Sequence, residues 1–388
     1  MQIICVGDLC CDLIVPYGRM REALRSGEFS RETAESLQVT MQCGGSVGNV
    51  ARHLGRLGRH PVFLTPLRRD ELGAFLSSEM ENAGADMRWA APSERSNMYC
   101  IAVLDEAGER TMFCFVPPWA DFPRFDEKSF VNVPHTEEEI LFTSGMAILD
   151  DGRNNAAVLD FFRARRAAGA HVVFDLNVRA ESYGYEGERR RAMEEMIALS
   201  DIVLGSGEEE FFQVTGCTDI REAAAVLLDR MRKRRGPAEK ASAESGDSAS
   251  ASAGTGTAGM DGLSGACCVV ARDGGHSIYV LDAQEHAKPD DSAGKAYEPA
   301  EIRASAGKTH EPAEQGDSAG KAHEPLQPDV PGYYVDVRPV KPVSTLGAGD
   351  CFDAMFLCAL AGGEGIRQAV RTASDYAGEY ISAGESST

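Results

Sequence analysis

Short apolar runs alternate along this chain with longer stretches of helical spacing, and that rhythm narrows the possible folds. Residues 3–6, 140–143, 172–175, 202–204 and 266–271 are apolar and of strand length. Between them lie helix-like stretches beginning at Ser46 and over 71–84, 154–168, 187–199 and 220–234, with two more near the C-terminal end. Strands that read apolar throughout are covered on both faces, and the intervening helices supply the crossovers. The alternation predicts an α/β fold with a mostly parallel sheet between helices. Two stretches break the rhythm with hairpin-like strands: residues 13–43, and residues 100–116, where a turn at 106–109 joins two half-apolar runs.

A chain of 388 residues suits one large domain or two ordinary ones. Its net charge of -21 argues against nucleic acid or an anionic membrane as a partner. No run of about 18 apolar residues suggests a membrane span. The chain enters a strand at once, without a basic signal region, and a cytoplasmic protein is expected. The 11 cysteines fit that reading. Cys5, Cys267 and Cys268 sit in apolar strand runs, and Cys351 and Cys358 in a helical one, so they read as reduced packing residues. Cys10-Cys11 lacks the spacing of a metal site.

Two insertions stand apart by composition. Residues 236–265 are rich in Ala, Ser and Gly. Residues 283–331 carry Ser-Ala-Gly-Lys at Ser292, Ser305 and Ser318, a period of 13 residues. Such short polar units bury no core, so disordered surface loops are expected.

The chemistry concentrates in two glycine motifs. In the first, an extended segment over 333–340 leads to Ser344-Thr345-Leu346-Gly347-Ala348-Gly349-Asp350. A helix follows with apolar residues at Phe352, Met355, Phe356, Ala359 and Leu360. Glycines at a helix mouth let backbone N–H groups approach an anion, and the helix dipole favours phosphate there. A carboxylate at such a place repels phosphate unless it takes a proton from an attacking hydroxyl, which is the role expected of Asp350. The other reading is a plain helix start with Asp350 complementing the dipole.

The second motif is Gly44-Gly45-Ser46-Val47-Gly48-Asn49. It opens a helix with apolar residues at Val47, Val50, Ala51, Leu54 and Leu57, ending at Gly58. A Gly-Gly pair followed by Asn suits a polyhydroxyl ligand. Asp12 follows the first strand, where open α/β sheets bind ligands. Asp175, Asn177 and Arg179 follow a later strand on the same expected side, where Arg179 suits a phosphate or an acidic substrate.

Together and in this order, residues 44–58 and 346–360 resemble the signatures of the ribokinase-like (PfkB) carbohydrate kinase family. Residues 69–73, 107–111 and 173–179 resemble further family elements. The resemblance implies a single domain over 1–388, a three-layer sandwich with its mostly parallel sheet flanked by helices, and a small β-sheet lid from about 13–43 and 100–116. It implies an ATP-dependent kinase acting on a hydroxyl of a sugar or sugar-like molecule, with Mg²⁺ bridging the phosphates. Asp350 is then the base, and the amides of Gly347, Ala348 and Gly349 form the anion hole. Asp12, Gly44, Gly45 and Asn49 hold the acceptor, and Asn177 and Arg179 lie near the phosphates. Pairing of two chains through the lid is a further implication.

The match departs from the family in places. The family's Asn-x-x-Glu element corresponds to the stretch Gly205-Ser206-Gly207-Glu208-Glu209-Glu210. The favoured frame takes Ser206 and Glu209 for phosphate and metal, and the other takes Gly207 and Glu210. Ser344 stands where the family has Asp, which argues against a monovalent-cation site built on that Asp. Arg68 replaces a glycine and is expected to point into solvent. A nucleoside kinase and a non-catalytic ligand-binding relative remain the alternatives. A dinucleotide-dependent oxidoreductase is excluded, because Gly7-Asp8-Leu9-Cys10 lacks its glycine spacing.

Overall fold

The structure is a computed structural model. It describes residues 1–27, 30–105, 110–113, 122–233, 267–273, 277–283, 332–341 and 347–383. The strands, in chain order, are β1 (Gln2–Val6), β2 (Cys10–Val15), β3 (Thr40–Gly44), β4 (Val62–Leu64), β5 (Pro66–Leu67), β6 (Ala91–Pro92) and β7 (Met98–Leu104). Then come β8 (Arg110–Phe113), β9 (Glu139–Ser144), β10 (His171–Asp175), β11 (Ile202–Ser206), β12 (Cys268–Asp273), β13 (Ser277–Asp282) and β14 (Tyr333–Asp336). The helices are α1 (Tyr17–Ser26), α2 (Arg31–Ser36), α3 (Ser46–Arg56), α4 (Glu71–Asn82), α5 (Gly152–Ala167) and α6 (Ala180–Tyr183). They continue with α7 (Gly187–Leu199), α8 (Phe212–Thr215), α9 (Ile220–Lys233), α10 (Ala348–Ala361) and α11 (Ile366–Ala383).

An eight-stranded sheet runs in the order β14-β13-β12-β11-β10-β9-β1-β4. Its strands are parallel from β4 to β12, and β13 and β14 are antiparallel. Alternation along β1 divides the core. Ile3 and Cys5 face one layer with Val47, Leu54, Phe352 and Phe356. Ile4 and Val6 face the other with Val158, Phe162, Met193 and Leu227. Helices α3, α10 and α11 thus cover one face and α5, α7 and α9 the other, the three-layer sandwich expected from the alternation.

The second sheet has the order β3-β2-β7-β8. Residues 13–43 differ from the expected hairpin: β2 and β3 pair antiparallel, but α1 and α2 lie between them. The helices form because residues 17–36 are dominated by Arg, Glu, Ala, Met and Leu, strong helix formers with little β preference. β2 lies parallel to β7, and β7 antiparallel to β8. The turn at 106–109 and nearly all of the two insertions lie outside the described residues. The extended segment ends at Asp336 as a strand, four residues before Val340. No disulfide joins the described cysteines, and no described helix is long and apolar enough to cross a membrane.

Candidate active site

The C-terminal ends of β1, β10 and β12 and the N-termini of α3 and α10 converge on one cluster of polar side chains. Helix α10 begins after Gly347, whose φ of 73° is left-handed and favours glycine. The first N–H groups of a helix have no acceptor within it, so Ala348, Gly349 and Asp350 present theirs at the helix mouth. Ser344, Thr345 and Leu346 lie outside the described residues.

Asp350 is held by the other glycine motif. The Asn49 amide Nδ2 donates to its Oδ2 at 2.8 Å, and Ser46 Oγ donates to its Oδ1 at 3.2 Å. Ser46 in turn accepts from Asn177 Nδ2 at 2.7 Å. Burial pushes the Asp350 carboxyl up to about 7, and the bond from Asn49 works against that rise. A carboxylate poised near neutrality suits a general base.

A buried cation ties the helix to the sheet. Arg272, at the end of β12, donates to Asp175 Oδ1 at 2.8 Å, to Asp353 Oδ1 at 2.6 Å and to the Gly349 carbonyl at 3.2 Å. Its guanidinium also lies over the Phe352 ring. Asp353 is fully buried, and burial raises its carboxyl well above the usual range, against the pull of Arg272. Asp353, and the ion-pairing role of Arg272, were not singled out from the sequence. Their signal is the Asp at i+3 from Asp350, which shares its helix face.

The frame of the acidic element is corrected. Glu209 is exposed, and Glu210 turns inward. Glu210 Oε2 accepts from Ser206 N at 2.7 Å and Oε1 from Val178 N at 3.2 Å. Burial, then the neighbouring Asp175, push its carboxyl up to about 7. An ordinary α-helical start would place the back-bonding Glu three residues after Ser206. Here residues Gly207–Phe211 form a π-helical turn, whose wider loop moves the position on by one.

At the lid side, Asp12 sits on β2 in register with Gln42 of β3 and Cys100 of β7. Gly44 lies against it: a Cβ there would come within 2.4 Å of Asp12 Oδ2. Gly45 is the cap of α3. Asp8, also missed from sequence, accepts from Ser46 N at 2.8 Å and Val47 N at 3.1 Å, anchoring that helix to β1. Arg179 is exposed at the edge of the cluster and donates to Asn177 Oδ1 at 2.9 Å. Arg68 stands outside the cluster and pairs with Asp70 at 3.5 Å.

The mouth of α10 fits the phosphates of ATP. Glu210 fits Mg²⁺ through its water shell, since each carboxylate oxygen keeps a lone pair beyond its backbone bond. Glu209, exposed and turned outward, does not fit.

This is an α/β sandwich with a four-stranded second sheet and a glycine-capped helix mouth that carries a carboxylate. The chain belongs to the pfkB family of carbohydrate kinases, whose model matches residues 2–236 and 329–388. It is 25% identical over 199 residues to 5-dehydro-2-deoxygluconokinase of Clostridium tetani, covering 50% of this chain and 58% of that one. It is 27% identical over 191 residues to aminoimidazole riboside kinase of Salmonella typhimurium, covering 48% and 57%. These matches therefore span little more than half of the relatives' length. Two solved structures share the fold. One is aminoimidazole riboside kinase from Salmonella enterica complexed with aminoimidazole riboside and an ATP analog, with a TM-score of 0.62, 17% identity, and 98% and 93% of the chains covered. The other is fructokinase with bound ATP from Xylella fastidiosa, with a TM-score of 0.62, 17% identity, and 98% and 92% covered.

Proposed function

We propose that this protein is an ATP-dependent kinase that phosphorylates a hydroxyl of a sugar or sugar-like small molecule. The observation that carries this reading is the Asp350 carboxylate at the mouth of α10, bonded to Ser46 and Asn49 of the opposite glycine motif. Asp12, Gly44, Gly45 and Asn49 hold the acceptor beside it. Asp350 takes the proton of the acceptor hydroxyl as its oxygen attacks the γ-phosphorus. The bond from that phosphorus to the bridging oxygen breaks, and ADP leaves with its electrons. The amides of Gly347, Ala348 and Gly349 stabilise the charge on the transferring group. Asn177 and Arg179 border the phosphates, and Arg272 fixes the helix mouth through the Gly349 carbonyl. Mg²⁺, when bound with the nucleotide near Glu210, neutralises phosphate charge. The relatives named as a gluconokinase and a riboside kinase support a small polyhydroxyl acceptor.

ADP release from ATP across a panel of sugars, sugar acids and nucleosides tests the reading, with Asp350→Asn beside the wild type. Turnover of one acceptor that the substitution abolishes supports it. A ligand that binds and protects against heating, with no turnover of any acceptor, replaces it with a non-catalytic binding protein.

Two copies pair through the lid in this reading. Tyr17, Leu24, Val39 and Met41, all exposed, lie on the lid segment, and β3 and β8 are its edge strands among the described residues. A monomer mass in light scattering would rule this out.

A further inference from the structure

Neighbouring residues of a strand face opposite ways, and β2 thereby parts its adjacent cysteines. Cys11 turns to the core, where it is paired with Cys43 of β3. Cys10 turns to the other face, which it shares with Asp12. Cys100 of β7 stands opposite Asp12 in the register of the two strands and brings a second thiol to that face. The sulfurs of Cys10 and Cys100 and a carboxylate oxygen of Asp12 all lie within 4.8 Å of one another. The pair Cys10-Cys11 lacks the spacing of a metal site, and the folded sheet supplies the missing ligand from a different strand.

The trio has the dimensions and the chemistry of such a site. Cys10 Sγ donates to Asp12 Oδ1 at 3.4 Å. A tetrahedral ion bonded to sulfur at about 2.3 Å and to oxygen at about 2.0 Å holds that kind of pair roughly 3.5 Å apart. Cys10 and Cys100 are 3% and 5% exposed, so water competes little for them. Asp12 is half-buried and marks the side from which an ion enters. Cys100 shares a hydrogen bond with Cys10, and burial with the carboxylates of Asp12 and Asp8 keeps the Cys10 thiol protonated against that bond. A bound cation reverses the balance, because a coordinating thiol gives up its proton outright. Two thiolates select a soft ion: Mg²⁺ takes oxygen ligands, whereas Zn²⁺ takes sulfur and oxygen together.

We propose that Cys10, Asp12 and Cys100 bind one thiophilic divalent cation of the Zn²⁺ class, and that this ion competes with the acceptor. The competition rests on the kinase reading above, in which Asp12 holds the acceptor. Asp12 Oδ1 faces Cys10, and Oδ2 lies toward Gly44. An ion on Oδ1 fixes the carboxylate and offsets the negative charge that would accept a sugar hydroxyl. The two thiols release their protons to water as the ion binds, and nothing is oxidised or reduced. Free Zn²⁺ thus shuts the site, and a chelator reopens it.

The full chain is titrated with Co²⁺, whose spectrum reports thiolate ligands and tetrahedral geometry, and Zn²⁺ then displaces it. One Co²⁺ per chain with thiolate charge-transfer bands is the expected result. Serine keeps a hydrogen-bonding atom but is a poor ligand for a soft ion. Cys100→Ser should therefore remove the bands and weaken Zn²⁺ binding by at least about 100-fold, since loss of an outer partner alone costs about 10–100-fold. Cys10→Ser repeats the test if Cys100→Ser does not fold. In turnover assays, with free Zn²⁺ fixed by a chelating buffer, Zn²⁺ should raise KM for the acceptor that the sugar and nucleoside panel identifies. KM for MgATP should stay unchanged, and Cys100→Ser should abolish the effect. Co²⁺ spectra without thiolate bands, or bands that both serine variants keep, overturn the site. Thiolate bands with a KM for the acceptor that Zn²⁺ does not move overturn the competition. Bands that the serine variants remove, with no ADP from any acceptor, uphold the metal site and sink the kinase reading.

Discussion

Asn49 and Asp350, 301 positions apart in the chain, share a hydrogen bond of 2.8 Å. One stands near the N-terminus of α3 and the other near that of α10, and the two helices cover the same face of the sheet. The protonation of the proposed base is thus set partly by the motif that is proposed to hold the acceptor.

The bond has a measurable sign. Donation from Asn49 favours the ionised carboxylate, so Asn49→Ala should raise the ionisation point of Asp350. The pH profile of kcat/KM should rise through about 7 in the wild type and be displaced to higher pH in the variant. Superimposable profiles would remove Asp350 as the titrating base.

Asp350→Asn should cost about 10²-fold or more in kcat while making the fold more resistant to heat at pH 8. The folded carboxyl titrates near 7, above its usual 3.8. The native state therefore binds this proton more tightly, its stability falls as pH rises between those values, and the penalty is complete above 7. Melting curves at pH 5 and pH 8 check the sign: the gain should appear at pH 8 and shrink at pH 5.

Arg272→Met should destabilise the fold by about 3–5 kcal/mol, because Asp175 and Asp353 are left buried without their cation. Adding Asp353→Asn should recover part of that loss in urea unfolding. Strictly additive losses would show that the ion pair is not coupled.

Glu209→Gln should leave kinetics almost unchanged, and Glu210→Gln should raise KM for MgATP or lower kcat by about 10-fold. The exposed residue touches nothing in the cluster, whereas the inward one joins β11 to the loop after β10. Reversed effects would restore the earlier frame.

Gly44→Ala should raise KM for the acceptor more than it lowers kcat. The added methyl would come within 2.4 Å of Asp12 Oδ2 and displace that carboxylate. An unchanged KM would take Asp12 out of acceptor binding.

The layered sheet and the two glycine helices were legible because their signals are local: apolar runs, helical spacing, and glycines at helix mouths. Asp350 was legible for the same reason, since a carboxylate at an anion site is a local contradiction. Arg272 was not, because its partners lie 97 residues before it and 81 after it, and only the closed sheet brings them together. Glu210 was missed by one position because three glutamates in succession give no phase, and the π-helical turn that chooses among them depends on packing against β11 and β12. The helices within 13–43 were not legible because the two strands that flank them, paired antiparallel, give the pattern of a hairpin.

Strands β13 and β14 lie side by side at the edge of the sheet, with Val280 opposite Tyr333. The paired strands thus bring residues 280 and 333 side by side, with the span 284–331 between them in sequence. The entropy of closing a loop rises only with the logarithm of its length, so exchanging the span 284–331 for a four-residue turn changes stability by about 2 kcal/mol. That edge is a natural port: a fluorescent reporter or an affinity handle can be spliced there, far along the sheet from β1, and the register of β14 serves as the check that the splice was tolerated.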